Sequence, residues 1–80
     1  MNKINQEKYD RVFCSVFNVQ KKDLKDMRLK VSEQWDSVSH ILLISSLEDE
    51  FGIDFLSDDI FDIKTYDLGL QILQEHYGIN

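Results

Sequence analysis

Apolar residues recur at helical spacing along most of the chain. Tyr9, Val12, Phe13, Val16 and Phe17 fall at i, i+3, i+4, i+7 and i+8, which predicts one amphipathic helix from about Ile4 to Phe17. From Asn18 to Trp35 the pattern lapses into a polar connection with scattered apolar anchors at Val19, Leu24, Met27, Leu29 and Val31. Connections of this length are uncommon in small domains and are often functional. A second helix is predicted from Asp36-Ser37 to Phe51-Gly52. It has an Asp or Ser cap at its start, a glycine just past its end, and a wide apolar face of Ile41, Leu43, Ile44, Leu47 and Phe51. Ile53 to Leu56 reads as a connector. A short helix with Ser57 as its cap follows to about Asp62, and then a Thr65-capped helix carrying Tyr66, Leu70, Leu73 and Tyr77. Gly69 lies inside that last helix, where glycine costs about 1 kcal/mol against alanine, so a close helix contact is expected there. The sum is an all-α, four-helix bundle with three main helices, a short third one and a long first loop.

Composition narrows the picture. Eighty residues make one domain, 1–80, with 42% hydrophobic residues and nine aromatics for a core. The single cysteine, Cys14, can form no disulfide within the chain and reads as a small core filler. The charged N-terminal stretch does not resemble a signal peptide, and no run of about 18 apolar residues suggests a membrane span. A cytoplasmic, monomeric protein is expected. Residues 1–31 carry a balance of +4 and residues 32–80 a balance of −10. An acidic half of that density repels nucleic acid and anionic membrane and favours basic protein partners.

Candidate chemistry is sparse. One cysteine and two distant histidines form no metal-ligand spacing, and three scattered glycines make no phosphate loop. Asp36, Ser37 and His40 invite comparison with a catalytic triad. An Asp next to the Ser is poorly placed to orient the His, and no oxyanion hole is visible, so catalysis is not expected. His40 reads as a surface residue, and His76 as a polar group or cation near a helix end. Glu48, Asp49 and Glu50 crowd the last turn of the second helix against its dipole, which points to a role with a partner. By local physics Asp36-Ser37 is a capping pair, although a hydroxyl at a helix start is also well placed to bear a phosphate.

The run Trp35-Asp36-Ser37-Val38-Ser39-His40-Ile41-Leu42-Leu43-Ile44-Ser45-Ser46-Leu47-Glu48-Asp49-Glu50-Phe51-Gly52-Ile53 resembles the second helix of acyl carrier proteins, in which an Asp-Ser-Leu motif precedes an amphipathic helix ending in Glu-Glu-Phe or similar. The order and lengths of the other helices extend the resemblance over nearly the whole chain. It implies that Ser37 receives 4′-phosphopantetheine from coenzyme A through a separate transferase that supplies Mg²⁺, with Asp36 near that metal during transfer. The arm's thiol would hold acyl groups as thioesters. Val38, Leu42, Glu48, Asp49 and Glu50 would meet acyl-loading and acyl-transferring enzymes bearing basic patches. Val38 in place of leucine, Trp35 before the motif acid, and Leu42 and Ser45 along the helix differ from fatty-acid carriers. They are closer to stand-alone carriers of specialised pathways, such as polyketide, aminoacyl and surface-polysaccharide systems. An aminoacyl or D-alanyl carrier and an unmodified helical interaction module are the alternatives.

Overall fold

The computed structural model describes all 80 residues and is entirely helical, a bundle of four α-helices. α1 spans Lys3–Phe17. Asn2 caps it through Oδ1, which accepts the Asn5 N–H at 2.9 Å, and Asn18 ends it in the left-handed region at φ 56°. Asparagine tolerates that conformation, and its N–H satisfies the Cys14 carbonyl. The predicted stripe is buried at Tyr9, Val12, Phe13 and Phe17 and half-buried at Val16. Cys14 packs beside it, as expected, and burial pushes its thiol pKa up.

The long connection is more ordered than its polarity suggests. Residues Lys21–Asp26 form a 3₁₀ turn that touches both α1 and α4, closed by the Gln20 N–H donating to Asp23. Leu24 and Met27 enter the core, and Val19 and Leu29 are half-buried. Val31, expected as an anchor, is 81% exposed. The chain is held instead by a backbone bond from Leu29 N–H to the Lys64 carbonyl and by Trp35, which is fully buried against Phe13 and Phe17.

α2 spans Ser37–Phe51 and ends at Gly52, whose φ of 64° suits glycine. It packs along α1. Its buried positions are His40, Leu43, Ile44 and Leu47, with Phe51 half-buried; Ile41, expected in the core, is 69% exposed. The inward stripe therefore starts at His40, one register step before Ile41. α3 spans Ser57–Asp62 and packs on α4, which spans Tyr66–Tyr77. Leu56, not Ser57, occupies the cap position of α3, and no side chain caps it. Thr65 caps α4 as predicted, with Oγ1 accepting the Leu68 N–H at 3.0 Å. Gly69 is the expected close approach: a Cβ there would lie 2.1 Å from the Tyr9 hydroxyl. That hydroxyl donates to the Tyr66 carbonyl at 2.8 Å, locking α1 to α4. A buried polar group joins the same two helices, as the Tyr66 hydroxyl donates to Asp10 and accepts from Gln6. No helix is long and apolar enough to cross a membrane.

Candidate functional site

The start of α2 is organised by two residues that flank Ser37. Asp36 Oδ1 accepts the Ser39 N–H at 2.9 Å, and the Ser39 hydroxyl accepts the Asp36 N–H at 2.9 Å. The Ser39 hydroxyl also donates to the Gln34 carbonyl at 2.8 Å, tying the cap to the incoming chain. The Ser39 N–H, and then the Ser39 hydroxyl when its proton turns to Asp36 Oδ1 at 3.1 Å in place of Gln34, hold the Asp36 carboxyl below the usual carboxylate range. Capping is thus the work of Asp36 and Ser39. Ser37, the first helical residue, is exposed, and its hydroxyl has no hydrogen-bond partner in the protein. The Ser37 N–H makes no backbone hydrogen bond, while the Val38 N–H leans toward the Asp36 carboxylate, so the positive end of the α2 dipole lies beside that hydroxyl with one donor unpaired.

His40 is not a surface residue. It is 7% exposed, and both ring nitrogens are engaged. Trp35 Nε1–H donates to Nδ1 at 3.0 Å, and Nε2 lies 2.7 Å from the Ile60 carbonyl. An indole only donates and a carbonyl only accepts, so the ring is the neutral tautomer with its proton on Nε2. Both nitrogens being committed elsewhere, His40 does not serve Ser37 as a base. Two signals in the sequence pointed to this. His40 sits at helical spacing from Leu43, Ile44 and Leu47, and Trp35, a pure donor, stands five residues before it.

Val38 and Leu42 are 71% and 55% exposed, and with Ser45 and Asp49 they form one outward stripe at i, i+4, i+7 and i+11 from Val38. Ile41 lies exposed beside it, and Leu56 and Phe61 add exposed apolar surface on and just before α3. The three acids at the end of α2 diverge. Asp49 is exposed, and Glu48 is half-buried with Oε2 accepting the Phe55 N–H at 2.9 Å, so it fixes the following turn. Glu50 is half-buried and, with Asp49, lines an open cleft of about 380 Å³ that α1 borders with Arg11 and Ser15. His76 pairs with Asp59 across the α3–α4 contact at 2.7 Å. No group of three or more His, Cys, Asp or Glu side chains is arranged to hold a metal ion.

No protein-family model, curated protein or solved structure matches this chain.

Proposed function

We propose that the chain is an acyl carrier protein, bearing a 4′-phosphopantetheine arm on Ser37 and presenting acyl intermediates to partner enzymes. One observation supports this most directly: the Ser37 hydroxyl is exposed and unbonded at the first position of α2, while Asp36 and Ser39 do the capping. A serine kept only as a cap would spend its oxygen on the helix N–H groups. When attached, the arm supplies a terminal thiol that holds cargo as a thioester. This chain's residues do the rest. The unpaired Ser37 N–H at the start of α2 would favour the linking phosphate, and Asp36, ionised by its contacts with Ser39, would offer a carboxylate beside it. Val38, Leu42 and Asp49 form the outward face that a transferase or an acyl-transferring enzyme would meet. With apolar groups at Val38, Ile41 and Leu42, that face favours partners with a mixed apolar and basic surface.

The test is intact mass after incubation with coenzyme A, Mg²⁺ and a broad-specificity phosphopantetheinyl transferase. A gain of one phosphopantetheinyl group on the native chain, absent from Ser37→Ala, supports the carrier reading. No gain on a folded chain with several transferases overturns it. Charging of the holo-protein by an adenylating enzyme with an amino acid would make the cargo aminoacyl or D-alanyl. A second reading, an unmodified interaction module, draws on the exposed Val38, Ile41, Leu42, Leu56 and Phe61. It forecasts tight binding to one partner with no modification at Ser37.

A further inference from the structure

α3 is a six-residue helix without a side-chain cap, far too short to persist on its own, so its position depends on ties to its neighbours. Three lead to α4 and its end. The Tyr77 hydroxyl donates to Asp59 Oδ2 at 2.6 Å, His76 Nδ1 meets Asp59 Oδ1 at 2.7 Å, and the Leu56 N–H donates to the Tyr77 hydroxyl at 2.8 Å. One hydrogen bond ties α3 itself to α2, from His40 Nε2–H to the Ile60 carbonyl, while Glu48 of α2 holds the connector before α3 through the Phe55 N–H. The same ring accepts from Trp35, so one neutral imidazole holds the first loop, α2 and α3 together.

A proton on Nδ1 is incompatible with this arrangement. It would set an N–H against the Trp35 N–H, two donors at 3.0 Å, in a site that is 7% exposed. No carboxylate lies within 4.0 Å of the His40 ring to compensate. The groups around it are few. From α2 itself comes Asp36, one turn back, exposed and committed to Ser39. From the loop comes the unionisable Trp35, backed by Phe13 and Phe17 of α1. From α3 comes the Ile60 carbonyl, while both oxygens of Asp59 bond to α4 residues. His76, by contrast, shares its cleft with Asp62, Lys64 and Glu75, and protonation keeps its bond to Asp59.

We propose that His40 is a proton-sensitive latch. Neutral, it fastens α3 to the Ser37 end of α2; protonated, it leaves Trp35, and α3 parts from α2 while staying tied to α4. The seam that opens lies one helical turn from Ser37, and the device holds whether or not Ser37 carries an arm.

The experiment uses the full ¹⁵N-labelled chain, with amide exchange and ring titration followed by NMR between about pH 8 and about pH 5.5, the range in which histidine changes charge. Protection factors at Ile60 and Ile63, whose N–H groups bond within α3, should fall about tenfold in acid, while Leu43 and Leu47 of α2 hold theirs. The Trp35 indole N–H resonance should shift with the midpoint of the His40 ring. His40→Gln, whose amide can accept from Trp35 and donate to Ile60 without titrating, should keep α3 protected at both ends of the range. His40→Phe should leave α3 loosened at both. The latch is overturned if α3 protection does not follow the His40 titration, or if His40→Gln loosens in acid as the native chain does. Should either variant fail to fold, the match of midpoints in the native chain decides alone.

Discussion

Gly69 shows how one residue can set a helix crossing. Its missing side chain makes room for the Tyr9 hydroxyl, which is fully buried and bonded to the Tyr66 carbonyl, so the hydroxyl cannot swing aside. Gly69→Ala would gain about 1 kcal/mol of helix propensity. It would lose more to a contact of 2.1 Å, since overpacking a core typically costs about 1–3 kcal/mol. A net loss of stability in urea titration is expected. Removing the hydroxyl takes away the closest contact and leaves the Tyr9 ring carbon at 3.2 Å and Ile63 at 3.3 Å, so Tyr9→Phe with Gly69→Ala should cost less than the two single changes summed, a coupling that a double-mutant cycle measures directly. Full additivity would show that the backbone moves apart instead. The cap of α2 gives a second test at this scale. Ser37→Ala should change stability by no more than about 0.5 kcal/mol, because the hydroxyl bonds to nothing. Asp36→Ala should destabilise clearly at neutral pH. The folded Asp36 carboxyl titrates below its unfolded value, so its contribution is present above the ordinary carboxylate range and is lost as pH falls through the lower folded value. The gap between native and Asp36→Ala stability should therefore close in acid; a gap constant down to about pH 2 would remove Asp36 from the cap.

At the scale of elements, α2 explains why three successive acids need not share a role. Glu48 accepts the Phe55 N–H and so shapes the turn into α3, whereas Asp49 stands in solvent on the stripe with Val38 and Leu42. Glu48→Ala should cost about 1 kcal/mol in denaturant, the scale of a lost hydrogen bond that leaves a half-buried N–H unpaired. Asp49→Lys should leave stability within about 0.5 kcal/mol and, on the carrier reading proposed above, slow modification of Ser37 by a transferase. Equal behaviour of the two variants would contradict this division. The helices were legible in the sequence because their signals are local. A period of apolar residues, Asp36 and Thr65 as caps, and Gly52 just past the end of α2 need no knowledge of neighbours. What was hidden depended on pairing across elements. The spacing of His40 from Leu43, Ile44 and Leu47 hints at burial, but only the partners Trp35 and Ile60 let a polar ring start the core stripe of α2 and leave Ile41 outside. The order of the first loop was hidden for the same reason, since its anchoring uses Lys64 and the aromatic face of α1. The exposed Ser37 could be located from sequence, but its freedom from capping could not, because that rests on where the Ser39 hydroxyl points.

For the whole molecule the decisive quantity is the distribution of charge. All but Glu33 of the eleven acids in residues 32–80 fall on α2, α3, α4, their caps and the connections between them, whereas the first loop carries Lys21, Lys22, Lys25, Arg28 and Lys30 against Asp23, Asp26 and Glu33. Few of these charges are paired: Lys21 approaches Asp10 at 3.9 Å, and Asp59 is hydrogen-bonded by His76 and Tyr77. Acids crowded on the later helices without cationic partners repel one another in the folded chain more than in the expanded one. Screening over a Debye length of about 10 Å at 0.1 M salt should relieve that repulsion. The melting temperature should thus rise with NaCl from low ionic strength, and more steeply per mole with a divalent cation. On the carrier reading proposed above, the same screening should slow association with a basic partner, because an acidic face would steer encounter through its long-range field. The two effects have opposite consequences for function and one common cause, so both should appear over the same salt range. A melting temperature indifferent to salt would mean that the basic loop already neutralises the acidic helices within the fold, and the partner-facing field would then be weaker than the sequence charge implies.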